Sequence, residues 1–150
     1  MMDLSKYPKE LIKSVAEEID MGMICFLNTD TLEVESVLGE SYNAYGDDDF
    51  KSFYQEVYDK VDNWGNFIRI EPPQPWQSFK IMEDFIETCI SDDNSVKKRL
   101  WDAISKKKPF QNFKFIIDDS QYRQCWFDFK QSKLELLVLE QLYSSPDMEL

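Results

Sequence analysis

The sequence contains no histidine, which removes the commonest general base and the commonest transition-metal ligand together. Its three cysteines, Cys25, Cys89 and Cys125, are far apart, so no C-x-x-C pair exists to hold a structural zinc. Only four glycines occur. None belongs to a P-loop, a G-x-G-x-x-G or a G-x-S-x-G pattern, the turns that cradle phosphates or present a nucleophile. No apolar run approaches the ~18 residues of a membrane span, and the opening MMDLSKYPKE lacks the apolar stretch of a secretory leader. Positive charge is scarce: 17 Lys/Arg stand against 29 Asp/Glu, a net of −12. That balance argues against nucleic acid and anionic membranes as partners, because both demand a basic surface.

What remains is 150 residues with 43% hydrophobic and 15% aromatic side chains, enough for one domain with a full core. Each cysteine sits among apolar residues, so three buried thiols in a reducing cytoplasm are expected. The acid is unevenly spread. Residues 1–63 carry 5 Lys/Arg against 15 Asp/Glu, whereas residues 64–150 carry 12 against 14.

The strongest local pattern is residues 67–90. Alternation from Phe67 to Glu71 puts Ile68 and Ile70 on one face of a strand and Arg69 and Glu71 on the other. Pro72 and Pro73 end the strand, and Pro75 and Trp76 suit the first turn of a helix. Its apolar positions are Phe79, Met82, Phe85, Ile86, Cys89 and Ile90. Upstream, Pro8 at a first helical position opens a helix with Leu11, Ile12, Val15 and Ile19 inward, and Gly22 stops it. Met23 to Leu27 reads as a buried strand and Asn28-Thr29-Asp30-Thr31 as a turn. In the next strand Leu32, Val34 and Ser36 alternate with Glu33, Glu35 and Val37, giving a hairpin with a largely acidic outer face. Asp49 is placed to cap a helix over about 50–61, with Phe53, Tyr54, Val57 and Val61 inward.

Downstream, Val96, Leu100, Trp101 and Ile104 mark a short helix with Lys106-Lys107-Lys108 in its last turn. Pro109 begins a turn or helix bearing Phe110, Phe113, Ile116 and Ile117. A long final helix carries the stripe Tyr122, Trp126, Phe129, Leu136, Leu137 and Tyr143, widened by Leu134, Val138 and Leu142. The fold class this order predicts is α+β. A small antiparallel three-stranded sheet, the hairpin plus the 67–71 strand, packs with N-terminal helices, and a C-terminal helical region follows. One domain is expected, with an N-terminal part over about 1–71 and a helical part over about 74–143.

The residues now named carry a resemblance. Phe26 to Val34, Ile68 to Pro73 and Met82-Glu83-Asp84-Phe85 are followed by Lys108-Pro109-Phe110 with Phe113-Lys114, and by Trp126 with Phe129. In that order and spacing they resemble an uncharacterised bacterial protein family, number 0158 of the uncharacterised series, across roughly residues 8–143. In the hairpin, Leu32 stands where the family pattern has a turn glycine. The resemblance implies a single domain and a bacterial cytoplasmic setting. It implies no activity.

Four constellations are candidate sites. Glu83, Asp84 and Glu87, with Arg69 and Glu71 beside them, pair carboxylates with an arginine, as acid–base or magnesium chemistry needs; the competing reading is a solvated helix face. Trp76, Trp101 and Trp126 line either a ligand groove or the core. Lys97, Lys98, Arg99, Lys106, Lys107, Lys108 and Lys114 form the only basic concentration, either an anion or RNA site or a solvated helix end. Glu33, Glu35, Asp47, Asp48 and Asp49 form an acidic interface or serve solubility. Asp47 to Asp49 and Asp92-Asp93-Asn94 lack the alternating ligands and closing glutamate of a calcium loop.

No catalytic residue and no cofactor or metal is expected. The leading expectation is a non-enzymatic intracellular module that meets a protein partner, possibly basic, through its acidic N-terminal half. DNA and membrane partners are not expected, and a free edge of the hairpin leaves a homodimer open. The alternatives are a metal-dependent hydrolase or nucleotide-binding enzyme using the 76–90 helix, and an anion or RNA binder using residues 97–114.

Overall fold

The computed structural model describes residues 6–39 and 48–144, of which 48–53 are described by backbone alone. The order is α1 (Lys9–Asp20), β1 (Met23–Asn28), β2 (Val34–Leu38), α2 (Asp48–Trp64), β3 (Phe67–Ile70), α3 (Pro75–Cys89), α4 (Ser95–Ile104), α5 (Pro109–Asp118) and α6 (Arg123–Tyr143). This is the expected α+β class, with an antiparallel sheet in the order β2-β1-β3. The chain forms two compact units. The first is Met1–Pro73 with Leu134–Leu150; the second is Gln74–Lys133.

In the first unit the central strand β1 is apolar on both faces because both faces are covered. Cys25 and Leu27 join Ile68 and Ile70 of β3, Ile12, Val15 and Ile19 of α1, and Leu134, Val138 and Leu142 of α6. Ile24 and Phe26 pack on the opposite side with Val37 of β2 and Tyr54 and Val61 of α2. A continuous apolar run such as Met23 to Leu27 is what a strand covered on both faces requires. The alternation expected for β2 is obeyed, but its second face is not an outer one. Val37 is fully buried there, and Val34 packs on the α1 side. Coverage by α2, the element that follows the hairpin, is what the local pattern did not disclose.

The hairpin turn is built by Asn28 and Leu32. The buried Asn28 side chain accepts hydrogen bonds from the backbone N–H of Asp30 (2.8 Å) and Thr31 (3.1 Å). The Leu32 N–H donates to the Asn28 carbonyl at 2.8 Å, and Leu32 takes φ 65, the left-handed conformation that glycine adopts freely. Its half-buried side chain packs on the first core, which offsets the conformational cost. At the hairpin base a Cβ on Gly39 would meet the Gly22 carbonyl oxygen at 3.0 Å, so any larger residue requires the backbone there to give by a few tenths of an ångström.

At the other sheet edge the Gln141 side chain stands in for a neighbouring strand. Its Oε1 accepts from the Glu71 N–H at 2.8 Å and its Nε2 donates to the Glu71 carbonyl at 3.0 Å. Tyr7 is buried against Tyr143, and among the described residues its hydroxyl has no hydrogen-bond partner. Since a buried, unpaired hydroxyl costs about 1–3 kcal/mol, Tyr7→Phe is expected to keep or raise stability by up to about 1 kcal/mol. A urea midpoint that fell instead would show that the hydroxyl is paired.

The second unit is helical. Gln77 accepts from the Gln74 backbone N–H at 2.7 Å at the start of α3, where Pro75 occupies the first position. Asn94 caps α4 through Val96 at 2.8 Å, and its Nδ2 donates to the Tyr122 hydroxyl at 2.9 Å. The core holds Met82, Phe85, Ile86, Leu100, Ile104, Phe113 and Ile117, with Trp101, Trp126 and Phe129 packed against it.

Several boundaries differ from expectation. Pro8 precedes α1 as its cap residue, in extended geometry, rather than opening it. Asp49 lies inside α2 rather than capping it, and α2 runs on to Trp64, where Gly65 takes a φ of 82. Helix α4 ends at Ile104, so Lys106 to Lys108 form the α4–α5 connection instead of a last turn. Ser105 is the C-cap of α4, its hydroxyl bonded to the Asp102 carbonyl at 2.7 Å, and the left-handed Lys108 is the residue that precedes α5. Cys89 and Cys125 are exposed; only Cys25 is buried. Asp47 lies outside the described residues, and Phe53 is described by its backbone alone.

Candidate functional site

The predicted carboxylate–arginine constellation is divided between the two units: Arg69 and Glu71 belong to the first, Glu83, Asp84 and Glu87 to the second. Arg69 lies on the α2 side of β3, with Nε 2.8 Å from Glu71 Oε1 and its guanidinium 5.9 Å from the Phe26 ring centroid. Asp84 is held by Lys80 one helical turn earlier, at 3.1 Å. The Glu87 backbone carbonyl accepts from Lys97 Nζ at 3.3 Å. Among the described residues, no three Asp, Glu or Cys side chains converge to hold a metal ion.

The acidic residues of the hairpin have a cation between them. Lys60 of α2 lies 2.6 Å from Glu33 Oε1 and 2.7 Å from Glu35 Oε1. These hydrogen bonds, Glu33 first, hold the Lys60 ammonium above its ordinary range. A raised lysine pKa contributes stability that is complete below the unfolded value of 10.5 and is lost as pH rises through the folded value. Lys60→Gln should therefore lower the urea midpoint at neutral pH, and by less in high salt than in low, since all three side chains are partly exposed. An equal loss at both salt concentrations would show that Lys60 acts by packing. Around this clamp α2 exposes Glu56, Asp59 and Asp62, none of which the sequence pattern singled out. Their spacing is the cue that was available: three, three and four residues apart on one helix face with Lys60. Asp48 and Asp49 are the first two residues of the same helix.

The basic concentration is thinner on the surface than in sequence. Lys97 is buried, and its ammonium donates to the Asp92 carboxylate. That hydrogen bond raises the lysine's pKa and lowers the aspartate's, so its stabilisation fades as pH falls below Asp92's ordinary value of 3.8. Lys114 pairs with Asp118 at 2.9 Å and Lys106 with Asp102 at 2.8 Å. Lys98, Arg99, Lys107 and Lys108 are exposed and have no ion pair among the described residues.

The tryptophans separate. Trp126 stacks edgewise on Phe113 at 4.7 Å and on Phe85 at 5.2 Å, and Trp101 flanks the same core. Trp76 is 69% exposed on the first turn of α3, so it is not a core residue. Phe115 of α5 is 77% exposed and borders an open depression of about 490 Å³ between α4 and α5.

The two units also differ in charge. Residues 74–133 carry 11 Lys/Arg against 9 Asp/Glu, a net of +2, and the remaining residues carry 6 against 20, a net of −14. The polarity noticed along the sequence is sharper still between the units, because the C-terminal acids Glu135, Glu140, Asp147 and Glu149 belong to the first.

Fold and surface together define a small α+β protein: an acidic sheet unit joined to a near-neutral helical unit with solvent-facing aromatics. The chain matches the Uncharacterised protein family (UPF0158) over residues 12–147 and belongs to that family. No curated protein and no solved structure matches the chain. Phe85, Phe113, Trp126 and Phe129, from the stretches that carry the resemblance, converge on one aromatic cluster, with ring centroids 4.7–6.4 Å apart. They form the core of the second unit or pack against it.

Proposed function

We propose that the protein is a non-enzymatic interaction module that recognises a basic protein partner through the α2–β2 face of its first unit. The observation that carries this reading is the net charge of −14 on that unit. Its exposed Glu56, Asp59 and Asp62 lie on the same helix as Lys60, which is, among the described residues, the one cation that bonds to Glu33 and Glu35. Such a face raises association rates for a basic partner and repels polyanions. A cytoplasmic setting fits the free, exposed thiols of Cys89 and Cys125, and no described helix is long and apolar enough to cross a membrane.

The test is capture from the native host with the tagged full chain, at low and high salt and with nuclease. The charge-reversed variant Glu56→Lys/Asp59→Lys/Asp62→Lys runs beside it. A stoichiometric partner that survives nuclease, is released by salt and is lost in the variant supports the reading. A partner retained by the variant, or none in either sample, overturns it. The carboxylates of α3 as a metal site make a different prediction, a rise in melting temperature with magnesium or manganese that Glu83→Gln abolishes.

A further inference from the structure

The depression between α4 and α5 has a composition that the acidic-face reading does not use. Its lining combines apolar Ala103, Ile116 and the exposed ring of Phe115 with Arg99 and Lys106, two cations against the single carboxylate of Asp102. The connection between α4 and α5, which follows Lys106 in the chain, carries Lys107 and Lys108, both exposed. The connection is held in place. Asn112 Nδ2 donates to the Ala103 carbonyl at 3.1 Å and to the Lys107 carbonyl at 2.9 Å, tying the end of α4 to α5. Lys108 sits at φ 57 immediately before Pro109, whose ring fixes the entry to α5. The cations therefore approach a ligand from a preorganised backbone, which lowers the entropic cost of binding.

From this arrangement the geometry points to a docking groove for a short acidic peptide segment of a protein partner, with one large apolar side chain seated on Phe115 and Ile116. Carboxylates of the segment on either side of that anchor meet Arg99 and Lys107 or Lys108. Charge complementarity selects this occupant: Arg99, Lys107 and Lys108 have no ion-pair partner among the described residues, whereas Lys106 already shares Asp102. A groove of about 490 Å³ open to solvent accepts a side chain and its flanking backbone. A nucleic-acid strand is the poorer fit. Tracking a phosphate backbone calls for a long basic groove, and here a handful of cations stands on a chain of net charge −12. The proposal is independent of the acidic face, since it uses the other unit and a partner of opposite charge.

The experiment is selection of a random 12-residue peptide phage library on the full-length protein. Affinities of a selected, fluorescein-labelled peptide are then read by polarisation. The expected consensus has two or more carboxylates flanking a large aliphatic or aromatic residue. Arg99→Glu and Phe115→Ser are each expected to weaken binding by about 10-fold or more, as for central anchors of an interface. Glu56→Lys/Asp59→Lys/Asp62→Lys is expected to leave this affinity unchanged. Arg99 and Phe115 are exposed, so the variants should keep the wild-type far-ultraviolet circular dichroism. Lys107→Glu/Lys108→Glu supplies a second pair of charges should either variant misfold. No acidic–apolar consensus, an affinity indifferent to the groove variants, or displacement of the peptide by polyuridylate at 150 mM salt would each overturn the proposal, the last in favour of nucleic acid.

Discussion

Phe85→Ala is expected to lower the unfolding free energy by about 3–5 kcal/mol, the range for deleting a buried phenyl ring. Phe85 has 0% exposure. It makes ring contacts with Phe113 at 6.4 Å, Trp126 at 5.2 Å and Phe129 at 5.4 Å, so it joins α3 to α5 and to the first half of α6. Removing it loses both the transfer free energy of the ring and the edge-to-face contacts, and leaves a cavity among side chains that belong to different helices. A domain of this size has about 5–15 kcal/mol in total, so the variant should unfold at much lower urea and the loss is read directly from the midpoint shift. Phe115→Ala, which removes an identical ring from an exposed position, should change stability by no more than about 0.5 kcal/mol. Equal losses in the two variants would mean that the aromatic cluster is not the core of the second unit.

The second large effect is kinetic. Cys25 lies at the centre of β1 with 0% exposure. Burial, and then the negative charge of Glu18, push its thiol up to about 12 from 9.0. Only the thiolate attacks a disulfide reagent, so near pH 8 this shift alone lowers the reactive fraction by about three orders of magnitude, and burial denies access as well. In the native protein two equivalents of thiol, Cys89 and Cys125, should react promptly with an aromatic disulfide reagent. The third should react only as the chain unfolds, its rate rising steeply with denaturant. Three equivalents released together under native conditions would remove Cys25 from the core. The sign of the linkage follows: the fold favours the neutral thiol. Its contribution is whole below pH 9.0 and declines between there and about pH 12.

These two cases bracket how much was legible in the sequence. Phe85 could be placed inward from its spacing with Met82 and Ile86 because a helix repeats every 3.6 residues, and its neighbours confirm that face. The cysteines could not be told apart, since all three have apolar neighbours in sequence. Cys25 alternates on a strand covered on both faces, while Cys89 and Cys125 fall on the open sides of α3 and α6. Helix α6 shows the same limit. Residues 134–139 are apolar at five of six positions, so no single stripe is defined. The structure buries Leu134, Val138 and Leu142 and leaves Leu136 49% exposed, the reverse of the order the pattern suggested. One helix supplies Trp126 and Phe129 to the second unit's core and Leu134, Val138 and Leu142 to the first's, so a single amphipathic period cannot describe it.

Of the candidate sites, charge was the most readable property and its pairing the least. Counting acids located the acidic half, yet Lys60 sits 27 residues from Glu33, too remote for any local rule to join them. The basic run at 97–108 looked continuous, but Lys97 is withdrawn into the second unit by Asp92 and the Glu87 carbonyl, five and ten residues away.

By itself the sequence determined the α+β class, the hairpin, the strand ending at Pro72, the charge polarity and the absence of histidine chemistry. These depend on short-range periodicity, on proline and glycine stereochemistry and on composition, all of which act within a few residues. Only the tertiary structure decided which side of β2 is covered, which thiols and tryptophans face solvent, and which lysines remain unpaired. The burial among those outcomes depends on which element comes to lie on a given face, and it is a property of that juxtaposition rather than of the residue.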